Sequence, residues 1–155
     1  MAGDEMPTGR VKPHANDLRK GRVSIPGHFY CVTAVTLRRE PVFSDFHSAR
    51  VLIGALREAQ LRDEAMTLAF VVMPDHFHWL MQLGMATPLS KVVGAIKAVT
   101  AHRLGRRMWQ DGFHDHALRE DEALAGVGRY IAANPLRAGL VERLGDYPHW
   151  DAVWL

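Results

Sequence analysis

MTLAFVVMPDHFHWLMQL, residues 66–83, is the stretch that decides the fold. Residues 66–73 are an apolar run of strand length, and Pro74-Asp75 interrupts it as a turn does. Residues 76–83 resume as a second strand, so the segment reads as a hairpin. Successive side chains on a strand point to opposite faces. His76 and His78 therefore share one face, and Phe77 and Trp79 take the other. Two imidazoles separated by about 6.6 Å of strand rise can converge on one cation. A lone H-x-H is a weak signal. Nine histidines in 155 positions give about half of one by chance, and His114-Asp115-His116 is a second. What distinguishes the first pair is its place on a central strand that follows a hydrophobic partner.

Working outward, residues 28–36 are β-branched and aromatic and predict a strand. A helix follows, capped by Ser44 or Asp45, with apolar positions Ala49, Leu52, Ile53 and Leu56 at helical spacing. After the hairpin, Pro88 suits the first turn of another helix, whose stripe is Leu89, Val92, Val93, Ile96, Val99 and Leu104. Residues 112–119 predict a fourth strand. Glu120, Asp121 and Glu122 then open a last helix at its positive end, which runs to about Asn134 because Pro135 disfavours helix at the residue before it. Tyr147, Trp150 and Trp154 in the tail are apolar anchors. The order is β-α-β-β-α-β and then a helix. This is the α+β, ferredoxin-like plan: an antiparallel sheet with helices on one face, plus a C-terminal helix, leaving the other face for a ligand. Residues 1–22, polar and basic, read as a flexible arm before a single domain at 23–155.

Composition narrows the class. Apolar residues are 48% and charged residues 23% of the chain, ordinary for a globular protein with a core of its own. The single cysteine, Cys31, reads as a small core residue and fits a reducing cytoplasm. No segment approaches a membrane span, and the N-terminus lacks the apolar stretch of a signal peptide. The net charge of +2 is small, but its distribution is uneven. Between His76 and Gln110 there is no acid, whereas Lys91, Lys97, Arg103, Arg106 and Arg107 occur there. Both this stretch and the arm can face phosphates or be solvated basic surface. On a helical wheel Lys91, His102 and Arg106 fall within an arc of about 60°.

Tyr130 and Asn134 are four apart and share one face of the last helix, at the edge of its apolar stripe. The carboxamide oxygen of Asn134 suits Mg²⁺ or Mn²⁺. Taken singly, a packed Tyr and a capping Asn are the plainer readings. Jointly, a histidine pair on the sheet and a Tyr–Asn face above it supply what a phenol needs to attack phosphate. With a pKa near 10 it is a poor nucleophile unless a metal polarises the phosphate.

These residues carry a resemblance. MPDHFHWLMQL at 73–83, WQDGFHDHALR at 109–119 and YIAANPLRAGLV at 130–141 are similar, in order and spacing, to the HUH single-tyrosine transposases of the insertion-sequence type. The REP-associated tyrosine transposases are the nearest group. The resemblance implies that His76 and His78 are metal ligands, that Asn134 is the third, and that Tyr130 is the nucleophile. It implies Mg²⁺ or Mn²⁺ as cofactor and single-stranded DNA hairpins of repetitive palindromic type as substrate. It also implies cleavage and rejoining through a 5′-phosphotyrosine, by a cytoplasmic, nucleoid-associated monomer or homodimer. Arg19, Lys20 and Arg22 of the arm fit a role in reading the DNA beside the hairpin, and Lys91 and Arg106 join them as candidate DNA contacts. Arg119 and Arg137 either contact phosphate or pair with Glu120 or Glu122. Trp79 and Trp109 read as core, and His114 and His116 as structural or DNA-facing. Two rival functions stand beside this one: a hairpin-binding module without turnover, and a metal phosphodiesterase in which water is the nucleophile. A structural zinc site is more distant, because it wants four closed N/S ligands.

Overall fold

The computed structural model describes residues 12–13, 24–119 and 123–153. The arm residues Arg19, Lys20 and Arg22, the acids Glu120, Asp121 and Glu122, and Trp154 lie outside them. The strands are β1 (Lys12–Pro13), β2 (Phe29–Val35), β3 (Ala65–Met73), β4 (His76–Leu83), β5 (His114–Leu118) and β6 (Trp150–Ala152). The helices are α1 (Phe46–Leu61), α2 (Leu89–Leu104), α3 (Leu124–Ala132) and α4 (Asn134–Arg137). All strand pairs are antiparallel and the sheet order is β1-β5-β2-β4-β3-β6. The inner four strands, with α1 and α2, are the β-α-β-β-α-β unit expected from the hydrophobic pattern.

The hairpin β3–β4 turns at Pro74-Asp75, with Met73 opposite His76. Buried Thr36 clamps this turn: its backbone N–H and its hydroxyl both donate to the Asp75 carbonyl, at 2.9 and 3.0 Å. Period-2 alternation sorts the sheet into two cores. On one face, Tyr30, Val32, Phe77, Trp79 and Met81 meet Leu52 and Leu56 of α1 and Val92, Val93 and Ile96 of α2. On the other, Cys31, Val71 and Leu80 meet Val127 and Ile131 of α3. Each large side chain so buried stabilises by roughly 1.5–3 kcal/mol. Trp79, fully buried, donates its indole N–H to Thr67 Oγ1 at 2.9 Å, and Trp109 donates to the Lys97 carbonyl at 3.0 Å. Both are core residues.

Asp45 caps α1 by accepting from the Ser48 N–H at 2.9 Å. Three expectations need correction. First, α3 does not run to Asn134. It ends at Ala132, and a separate turn, α4, begins at Asn134 with Pro135 near its start. Proline is tolerated in the first turn of a helix, where its missing N–H has no partner to lose. Second, α2 stops at Leu104, where Gly105 takes a left-handed conformation at φ 68°. Arg106 therefore lies past the helix and off its wheel. Third, the face opposite α1 and α2 is not left free. The tyrosine helix α3 packs there on β3, β4 and β6. Beyond these, Lys12–Pro13, within the stretch read as an arm, pairs with β5. The tail adds the edge strand β6, with Tyr147 donating to the Val72 carbonyl.

Candidate active site

Strand alternation puts His76 and His78 on the α3 side of the sheet, with Phe77 sealed in the opposite core. Their ring centroids are 4.9 Å apart, nearly perpendicular at 78°. Each ring is held by a hydrogen bond at Nδ1. For His76 the partner is Asp75 Oδ1, at 2.7 Å. For His78 it is Thr33 Oγ1, also at 2.7 Å, its register partner across β2–β4. With Nδ1 engaged, each ring has Nε2 left for a ligand, the usual arrangement behind a metal-binding histidine.

The protonation states agree with this. Burial, then the charges of His76 and Arg137, push His78 down to about 3, so its imidazole is neutral, as ligation requires. Burial raises the Asp75 carboxyl, but hydrogen bonds and charge from His76 and then Arg39 outweigh it and hold the pKa below the ordinary value. Arg39 reaches Asp75 Oδ2 at 3.2 Å from a left-handed backbone, φ 53°. Asp75 thus stays ionised and holds the His76 ring at Nδ1.

Asn134, buried, enters the same site from α4. His76, His78, Asn134, Thr33, Asp75 and Arg39 all line one cleft of about 520 Å³. The Asn134 amide nitrogen donates to the Ile131 carbonyl at 3.2 Å, which orients the side chain and leaves its carbonyl oxygen to accept or ligate. Among the described residues no three His, Cys, Asp or Glu side chains gather as a metal cluster. Beside the two histidines, the Asn134 carboxamide is a side-chain oxygen in the same cleft that could serve as a third ligand. Two imidazoles and a carboxamide oxygen form an open donor set suited to a hexacoordinate divalent cation. A closed four-ligand zinc centre is absent from the described residues.

Tyr130 stands one turn before Asn134 on α3, half-buried and not among the residues lining the cleft. The Arg137 guanidinium lies over its ring, Cζ 3.8 Å from the centroid. Lys91 is exposed on α2, against the opposite face of the sheet, and Arg106, also exposed, is ion-paired with Glu40. Neither is brought to the cleft. Arg119 is exposed just past β5. His114 pairs in register with Thr33, placing it on the histidine face. Thr33, Asp75 and Arg39 were missed from sequence, because only cross-strand register and the turn geometry bring them to the rings.

The family described as "Transposase IS200 like" matches residues 25–134, more than half of the chain, and the protein belongs to that family. A REP-associated tyrosine transposase of Escherichia coli (strain K12) is 32% identical over 83 residues, which is 52% of this chain and 50% of the relative. A protein of Haemophilus influenzae that carries the same name provisionally is 29% identical over 99 residues, 54% of this chain and 56% of that one. The matched segments thus span about half the length of these relatives. A solved REP-associated tyrosine transposase bound to a REP hairpin superposes with a TM-score of 0.72 at 26% identity, covering 83% of this chain and 79% of that one.

Proposed function

We propose that the protein cleaves and rejoins single-stranded DNA at hairpin-forming repetitive palindromes, with Tyr130 as nucleophile. The observation that carries this reading is that His76, His78 and Asn134 line one cleft while Tyr130 sits one turn before Asn134 on the helix crossing the same face. The hairpin substrate is supported by the bound state of the superposable transposase.

His76, His78 and Asn134 would hold Mg²⁺ or Mn²⁺, whose charge, when bound, polarises the scissile phosphate. The chain's own groups do the rest. Asp75 and Thr33 keep both imidazoles turned into the cleft. The Tyr130 oxygen bonds to phosphorus as the P–O3′ bond breaks. The phenolic proton passes to solvent, and the departing 3′ oxygen takes up a proton as a hydroxyl. A second 3′-hydroxyl then attacks the 5′-phosphotyrosine, the P–O bond to Tyr130 breaks, and the phenol is restored. The linkage conserves the phosphodiester bond, so no nucleotide cofactor is consumed.

The test is adduct formation. Wild type and Tyr130→Phe are incubated with a labelled single-stranded hairpin pool and Mg²⁺ or Mn²⁺, then run on a denaturing gel. A metal-dependent band from wild type alone is expected. Hairpin binding without an adduct in either metal would reduce the protein to a recognition module. Cleavage that persists in Tyr130→Phe would assign the nucleophile to water.

A further inference from the structure

Arg137 is the described residue whose chemistry is least accounted for by the fold. Its Nε and Nη2 atoms are buried and have no hydrogen-bond partner among the described residues. Guanidinium donors taken from water without a partner are strongly unfavourable, and such exceptions call for an explanation. These two nitrogens are not a random pair. They form one edge of the planar guanidinium, the edge that grips two oxygens of a phosphate or carboxylate side by side. Arg39, Arg103 and Arg106, by contrast, already meet Asp75, Glu58 and Glu40.

The location gives the edge its ligand. The flat face of the guanidinium lies on the Tyr130 ring, 3.8 Å from the centroid. Arg137 follows Asn134 by three residues on the same short helix, and Tyr130 precedes Asn134 by four across the break at Ala133. Among the described residues no carboxylate meets this edge, and the group that must visit Tyr130 in the proposed reaction is a phosphodiester.

We propose that the Nε–Nη2 edge of Arg137 receives the two non-bridging oxygens of the phosphate that Tyr130 attacks, while its face holds the tyrosine ring in line. This assignment rests on the covalent reading above. Arg137 then neutralises charge that builds on the phosphate, and its stacking couples phosphate binding to the position of the nucleophile.

Two readouts test it. In the first, Tyr130→Phe protein with Mg²⁺ is titrated with hairpin-bearing single-stranded DNA. The Arg137 Nε–H resonance, assigned by its disappearance in Arg137→Lys, is followed by nitrogen NMR. A downfield shift with DNA that carries a single-stranded flank, and none with the bare stem, is expected. A resonance that stays unmoved overturns the assignment. In the second, Arg137→Gln and Arg137→Lys are assayed for adduct formation. Loss of on the order of 100-fold in rate, as for removal of one donor to a transition state, is expected with DNA affinity and melting temperature little changed. A rate at the wild-type level, or a loss that merely follows falling stability, overturns it. The NMR arm needs no cleavage. An absent adduct in wild type would sink the covalent function while the resonance still decided where the phosphate sits.

Discussion

Thr33 Oγ1 lies 2.7 Å from His78 Nδ1, across the β2–β4 register. The threonine sits opposite the histidine because the two strands pair in that frame, and a slip of one residue would send it to the other face. With Nδ1 engaged, the ring presents Nε2 to the cleft. Thr33→Val keeps shape and β-propensity but removes the oxygen. Mn²⁺ affinity, measured by calorimetric titration, is expected to fall by about 10- to 100-fold while the melting temperature holds. Unchanged Mn²⁺ affinity would show that Thr33 does not orient a ligand.

Asn134 admits two roles that a pair of substitutions separates. As a structural residue it works through its amide nitrogen, which donates to the Ile131 carbonyl. As a ligand it works through its oxygen. Asn134→Asp keeps an oxygen, adds charge, and destroys the donor. Asn134→Ala removes both. The expected result is that the Asp variant retains Mn²⁺ binding and the Ala variant loses at least about 10-fold. If Asp weakens binding and stability as much as Ala, the residue is a brace for the α3–α4 junction and not a ligand.

The legible and illegible parts of this molecule divide along a physical line. The β4 limits, His76 to Leu83, follow from the turn at Pro74-Asp75 and from Phe77, Trp79, Met81 and Leu83, which recur at every second position and are all buried. The sealed cysteine followed from its neighbours in β2. What local pattern does not encode is pairing at a distance. Thr33 reaches His78 through strand register, and Arg39 reaches Asp75 from a turn with two consecutive left-handed residues, Arg38 and Arg39. The break at Ala133 was misplaced because Pro135 stops a helix in one context and opens one in another. Arg137 lies over the Tyr130 ring from the short helix beyond that break. The edge strand β6 is three residues long, too short to leave a period.

Two glycines predict opposite responses to alanine. Gly94 lies exposed within α2, and a Cβ there meets nothing within 4 Å. Gly94→Ala should stabilise by about 0.5–1 kcal/mol, by reducing the freedom of the unfolded chain. At Gly84 a Cβ would collide with the backbone carbonyl oxygens of Asp63 and Glu64, in the connection between α1 and β3. Gly84→Ala should destabilise by about 1–3 kcal/mol, because backbone must move. Urea unfolding of both variants checks the pair, and equal effects would contradict the close approach at Gly84.

His149 predicts part of the acid sensitivity. Its ring packs between Phe46 and Tyr147, centroids 5.2 and 5.7 Å away, and its Nδ1 has no hydrogen-bond partner among the described residues. Burial, then the nearby charge of Arg50, lower its pKa. In the unfolded chain the imidazole takes its proton near pH 6.5. In the folded protein it does so only at lower pH. Between the two values the unfolded state binds more protons, so stability is lost as pH falls below about 6.5. His149→Phe keeps an aromatic ring between the same neighbours and removes the titration. Wild type is expected to lose more unfolding free energy than His149→Phe when denaturation is repeated from neutral pH to about pH 5.5. His78 contributes its own acid dependence to both proteins, so the difference between the two slopes isolates His149. Coincident slopes would show that the ring leaves its aromatic seat, or finds a partner there, before it is protonated.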